Sequence, residues 1–233
     1  ILSNMLKIKK KNYFMKLIEV KNNILLGLDK FAKERKFKIV KKDFAIKKSE
    51  KEYTCAFQFD YNYWQDEIHL FPFATIKINQ IHNICKINGY DLNYTAFINL
   101  LFLEKYAKNK YDENTRWKMQ YNQKDRFKIF SLNDIDKIID KTLNLIYKYG
   151  LNYIEKYSNI KSIDNLYNKN PFDYNPNCSG LNTHCIIGLI STKLSKNENY
   201  DKLEKIYSKI VEDNDFNDID KVAFDKIKKY LKN

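Results

Sequence analysis

The stretch YTCAFQFDYNYW, residues 53–64, constrains the fold more than any other part of the chain. Tyr53, Cys55, Phe57, Phe59, Tyr61 and Tyr63 take every second position, with Thr54, Gln58, Asp60 and Asn62 between them. Strand side chains point alternately to opposite faces, so the pattern predicts a strand with one apolar face that must be covered. Phe44 and Ile46 alternate with charge before it. After a turn near Gln65-Asp66-Glu67, Ile68, Leu70, Ala74, Ile76 and Ile78 alternate again. Residues 43–79 therefore read as an antiparallel meander with one buried face. Pro72 has no N–H to donate and marks an edge strand or a bulge.

The cover is helical. Leu17, Ile24, Leu28 and Phe31 recur at helical spacing over 15–36, with lysines crowding the other side. A short helix carrying Ile81, Ile84 and Cys85 ends at Gly89, a residue suited to the left-handed position after a helix. Residues 92–108 read as another helix through Phe97, Leu100, Leu101, Leu103 and Tyr106. Trp117, Met119 and Tyr121, then Phe127 and Ile129, alternate about NQKD and suggest a second hairpin. SLND at 131–134 is a capping-box variant. It starts a helix whose stripe of Ile135, Ile138, Ile139, Thr142 and Ile146 stops at Gly150. Short helices near 151–157 and 162–168 precede an Asn/Pro/Gly-rich loop at 168–182. Three amphipathic helices close the chain, the first capped by Thr183, with Cys185 and Gly188 offering a partner helix a close approach. The predicted class is α+β: an antiparallel sheet of three to five strands packed by helices, with an all-helical C-terminal third. Residues 1–14 read as a basic leader, 15–150 as an α+β domain, and 151–233 as a helical region packed on it in one structural unit.

Composition narrows the classes. Five glycines and three prolines in 233 residues disfavour an all-β sandwich. Without a run of eighteen apolar residues, no membrane span is predicted. The basic start lacks the apolar core of a secretory signal, and four scattered cysteines suggest reduced thiols and a cytoplasmic location. The net charge is +13. Residues 1–50 hold fifteen Lys/Arg and five Asp/Glu, so 15 − 5 = +10 of it lies there. Only Arg35, Arg116 and Arg126 are arginines, the residue that grips phosphate and guanine in a bidentate way, which argues against sequence-specific DNA binding.

Candidate chemistry is sparse. Cys178, His184 and Cys185 have unconventional spacing for zinc and lack an evident fourth ligand, so no metal site is predicted. No cofactor fingerprint and no Gly-rich phosphate loop occur. No Gly-flanked nucleophile turn supports a Cys–His pair. Asp60, Asp66, Glu67 and His69 cluster at the predicted hairpin tip, where carboxylates could hold Mg²⁺ in a nuclease, although Lys77 is poorly placed to assist. The same tip carries Tyr61, Tyr63 and Trp64, residues favoured at protein interfaces.

The layout, basic helix, meander, mixed middle and C-terminal helical hairpin, with IHLFPFATIKINQIHNI leading a strand through a proline into a helix, resembles a loosely defined set of bacterial α+β proteins, some of them immunity-like. That resemblance implies a fold and a toxin-neutralising type of role, and carries no site onto any residue. The sequence thus leads to a non-enzymatic protein that binds another protein through Asp60, Tyr61, Tyr63, Trp64, Asp66 and Glu67. The alternative is a non-specific nucleic-acid binder using Lys16, Lys21, Lys30, Lys33, Lys36 and Lys38 on the first helix. A metal-dependent nuclease stands third. Oligomeric state is not legible.

Overall fold

A computed structural model of the chain describes residues 17–64, 67–108, 126–172, 175 and 177–233. The first helix runs over residues 17–27 (α1) and resumes at Asp29–Glu34 (α2) after one turn residue, Leu28. Strands Lys38–Val40 (β1), Ala45–Ser49 (β2), Tyr53–Trp64 (β3) and Glu67–Ile78 (β4) form the meander, and Asn79–Ile87 (α3) follows directly. Then come Ala96–Asn99 (β5), Leu100–Ala107 (α4) and Phe127–Ile129 (β6). The helical part comprises Ile135–Leu145 (α5), a π-helical turn at Ile146–Gly150, Leu151–Tyr157 (α6), Ile160–Asn168 (α7), Leu181–Leu194 (α8), Tyr200–Asp213 (α9) and Asp218–Lys232 (α10). The class is α+β as predicted. The predicted leader, Lys16, Asp66 and the 117–121 arm of the second hairpin lie outside the described residues.

Among the described residues the sheet has six antiparallel strands in the order β1-β2-β3-β4-β5, with β6 also on β4, one strand beyond the predicted range. β3 and β4 pair in unbroken register from Tyr53↔Ile78 to Trp64↔Glu67. Paired residues share a face, so Cys55, Phe57, Phe59, Ala74, Ile76 and Ile78 lie on the face covered by helices and are buried. Phe57 is the centre of this face. Its ring lies 5.6 Å from Phe37 and 6.1 Å from Phe31, edge-on to the latter. Burying such a ring contributes about 1.5–3 kcal/mol.

Pro72 makes neither a bulge nor an edge strand, because β4 is central. Phe59 donates its N–H to Phe44 O at 3.0 Å, so the backbone groups of Phe59 face β2. The Phe59–Pro72 pair is therefore a non-hydrogen-bonded one, and the proline nitrogen faces away from β3. On that side β6 pairs with residues 68–70 and β5 with residues 73–76. Pro72 sits in the gap between them, where no ladder bond is lost.

Three further expectations are corrected. Residues 96–99 are a strand and not part of a helix. Asn99 ends it by accepting from the N–H groups of Leu101 and Phe102, which starts α4. Gly150 does not stop its helix. It has helical dihedrals within a continuous rod, and a Cβ there would lie 2.6 Å from the Phe57 ring, so close passage over the sheet explains the glycine. Thr183 does not cap α8; it lies within the helix, and its hydroxyl is 3.0 Å from both Tyr90 Oη and Ser179 Oγ. The Gly89 terminus is as predicted, with φ at +78°, and so is the Ser131–Asp134 capping box.

The predicted amphipathic α8 is instead buried on all sides, from Thr183 to Thr192. α3, α7, α9 and α10 surround it. The C-terminal region is also tied to the sheet: Tyr167 Oη donates to Thr95 O at 2.6 Å, and Phe97 N donates to Asn177 O at 3.1 Å. Gly188 on α8 faces Tyr207 on α9, the close approach anticipated from its small size.

A buried polar network joins three of these helices. Tyr207 Oη donates to Asn168 Oδ1, and Asn168 Nδ2 donates to Asp164 Oδ1 at 2.6 Å and Thr192 Oγ1 at 2.7 Å. Asn197 Nδ2 donates to Asp164 Oδ2 at 2.8 Å. Both carboxylate oxygens of the buried Asp164 are thus used, and its removal strands buried donors. Asp164→Ala is expected to cost about 2 kcal/mol, read as a thermal midpoint roughly 4–8 °C lower. A midpoint within about 1 °C of the parent would show that water replaces the carboxylate.

Candidate functional site

The predicted aromatic and acidic patch is divided by the strand alternation that displays it. Tyr61 and Tyr63 continue the helix-covered face of β3, whereas Asp60, Asn62 and Trp64 belong to the opposite face. β2 pairs with β3 only as far as Gln58, so the last five residues of β3 extend past it and are exposed. Tyr61, Tyr63 and Trp64 keep 40%, 41% and 51% of their surface. The Tyr61 and Tyr63 rings meet edge-on at 6.2 Å, and Lys21 Nζ lies 4.1 Å from the centre of the Tyr61 ring. This geometry suits a cation–π contact and stiffens the tyrosine.

Of the predicted acids, Glu67 faces Trp64 across the hairpin. Its Oε2 is 2.9 Å from His69 Nε2 and 3.1 Å from Lys128 Nζ. These bonds, the histidine's first, hold the Glu67 carboxyl below its ordinary range. Asp60 lies opposite Phe71, four residues along β4 from Glu67, which at strand spacing is about 13 Å. Partial desolvation raises the Asp60 carboxyl, and it lines a hollow of about 380 Å³ with Gln58, Lys77 and Tyr94. Lys77 pairs with Thr54 at the opposite end of the hairpin from Glu67. Asp60 and Glu67 do not converge with a lysine as a two-carboxylate nuclease centre requires. Among the described residues no group of three or more His, Cys, Asp or Glu converges on one point.

Among the described residues the lysines assigned to the first helix do not form a single stripe. Lys21 and Lys30 are nine residues apart, about half a turn out of phase. Lys21 leans on Tyr61, and Lys33 pairs with Asp29 at 2.6 Å. Lys36 occupies the turn after α2 with φ at +61°, and Lys38 lies on β1. Cys55, Cys85, Cys178 and Cys185 are all buried free thiols. Burial pushes Cys55 up to about 11 and the other three up to about 12, so none of the four is poised as a thiolate.

A second candidate, missed in the sequence, is a cleft of about 640 Å³ where three helix faces and the loop after α7 converge. α4 contributes Phe102, Leu103 and Tyr106. The rod through the π-helical turn and α6 contributes Lys148, Tyr149, Asn152, Tyr153, Lys156 and Tyr157. α7 and the loop contribute Asn165, Lys169, Asn170, Asn175 and Asn177. The floor is fixed by hydrogen bonds: Tyr153 Oη donates to Asn177 Oδ1 at 2.7 Å, and Asn177 Nδ2 donates to Asn175 Oδ1 at 2.9 Å. Lys148 Nζ is 5.5 Å from the centre of the Tyr149 ring, and Lys156 Nζ is 5.0 Å from that of Tyr157. Among the described residues no carboxylate lines the cleft. The sequence signal was the helical spacing of Tyr149, Asn152, Tyr153, Lys156 and Tyr157, a stripe too polar for an ordinary core face. Among the described residues, no helix is long and apolar enough to cross a membrane. The chain matches no family model, no curated protein and no solved structure.

Proposed function

We propose that the protein binds another protein through the far end of the β3–β4 hairpin. The observation that carries this reading is the exposure of Tyr61, Tyr63 and Trp64 on a strand whose other half is locked in the core. Large apolar surfaces with a polar handle, held on a rigid element, dominate interface energetics because little side-chain entropy is lost on docking. The residues that carry the contact are Tyr61 and Tyr63 on one face of the strand and Trp64 with Asp60 on the other, so the partner wraps the hairpin end. The net charge of +13 favours an acidic partner surface and raises its rate of encounter. A toxin-neutralising, immunity-like role is the form of this reading that the layout suggests. Against the nucleic-acid reading stand the half-turn offset between Lys21 and Lys30 and the engagement of Lys21 with Tyr61 and of Lys33 with Asp29.

The test is a comparison and not a single capture. Wild-type protein and a Tyr61→Ala/Trp64→Ala variant are immobilised and exposed to nuclease-treated native lysate at moderate salt. One stoichiometric protein should bind the wild type and bind the variant at least thirtyfold more weakly, corresponding to about 2 kcal/mol. Equal capture by both, or capture abolished by nuclease, overturns the proposal.

A further inference from the structure

We infer that the cleft between α4, α6 and α7 is a binding site for a nucleoside phosphate. Its volume, about 640 Å³, is in the range of small-molecule sites. Three sets of groups converge there, and each excludes a class of guest. Tyr149 and Tyr157 supply aromatic walls, suited to a planar ring. The buried Asn175 and Asn177 supply a floor of amides. Each amide nitrogen has two hydrogens, and among the described residues each makes one bond, Asn175 to Leu166 O and Asn177 to Asn175 Oδ1. Among the described residues one N–H of each has no partner, and a wholly apolar ligand would leave it unpaired at a cost. Lys148, Lys156 and Lys169 stand at the rim, and no ion pair joins any of them to a carboxylate among the described residues.

The charge argument decides between guests. Among the described residues the lining holds three lysines and no Asp or Glu, a local excess of positive charge beside a low-dielectric wall. A neutral sugar would not use it. Inorganic phosphate or a divalent cation would not use the tyrosines, and a cation would also be repelled. A planar, hydrogen-bonding ring joined to an anion uses all three sets. The π-helical turn at Ile146–Gly150 supports the assignment, because it sets Lys148 and Tyr149 on the cleft side of the rod, and such turns frequently occur at functional sites.

The site is independent of the hairpin end, so its test is too. Titration calorimetry of the full chain with the four nucleoside monophosphates, pyrophosphate and a single-stranded hexanucleotide separates the sources of the same chemistry. At least one monophosphate should bind one-to-one and more tightly than pyrophosphate. The double variant Lys148→Glu/Lys169→Glu changes two exposed side chains. It should keep the parent thermal midpoint while weakening that monophosphate at least tenfold. Four outcomes would each overturn the inference: no monophosphate bound at millimolar concentration, pyrophosphate bound as tightly as any of them, affinity unchanged in the folded double variant, or binding of the hexanucleotide alone.

Discussion

Replacing Gly188 by alanine is expected to destabilise the protein by roughly 3–4 kcal/mol, lowering the thermal midpoint by about 10 °C. A Cβ at this position would lie 2.4 Å from Tyr207 Oη and 2.6 Å from its Cζ. Tyr207 cannot simply swing away, because it is fully buried and its hydroxyl donates to Asn168 Oδ1. The substitution therefore combines overpacking with the loss of a buried hydrogen bond that leads directly to Asp164. The check is a double-mutant cycle by chemical denaturation. Gly188→Ala with Tyr207→Leu should cost less than the sum of the single changes, since the smaller side chain admits the new methyl group. Additive costs would show that the penalty does not arise at Tyr207, and a single Gly188→Ala cost below about 1 kcal/mol would show that α8 and α9 can part without penalty.

The second large effect is acid sensitivity centred on His82. This side chain is 7% exposed on α3, and its Nε2 has no hydrogen-bond partner among the described residues. Burial, and secondarily the nearby Lys77 charge, push it down to about 3. In the unfolded chain a histidine titrates near 6.5. Between these values the unfolded state holds the extra proton, so acid favours unfolding, and the contribution present above about pH 6.5 is lost as pH falls. At pH 4.5 the deficit reaches roughly 3 kcal/mol. Unfolding free energies measured from pH 7.5 to 4.5 should fall more steeply for the parent than for His82→Leu. Parallel curves would mean that the imidazole finds a proton acceptor in the fold.

Much of the sheet was legible because its signals are local. The alternation over 53–64 follows from strand geometry alone, and Gly89 and the Ser131–Asp134 box announce helix ends within four residues. The errors arose where tertiary contact overrides local pattern. Phe97, Leu100 and Leu101 have helical spacing, yet residues 96–99 are drawn into a strand because β4 presents an edge to them. Gly150 reads as a helix stop, but its role is to let Phe57 pass beneath a continuing helix. At the hairpin tip the residues were placed correctly along the chain. Trp64 stands on the face opposite Tyr61 and Tyr63, because a step of one residue reverses the face. The cleft stayed hidden for a different reason: three helix faces distant in sequence meet only in the folded chain.

The burial of α8 on every side has a consequence for how the chain is made. A helix with no solvent face has nowhere to hide its Ile186, Ile187, Leu189 and Ile190 until the segments that enclose it exist. Two of those enclosing elements, α9 and α10, lie nearer the C-terminus, so during synthesis they leave the ribosome after it. The growing polypeptide therefore carries a sticky rod for as long as α9 and α10 take to emerge, an interval of seconds at ordinary elongation rates of about 5–20 residues per second. A chain arrested within that interval would present the rod to its neighbours, so emergence of α10 and escape from aggregation are one event for this protein.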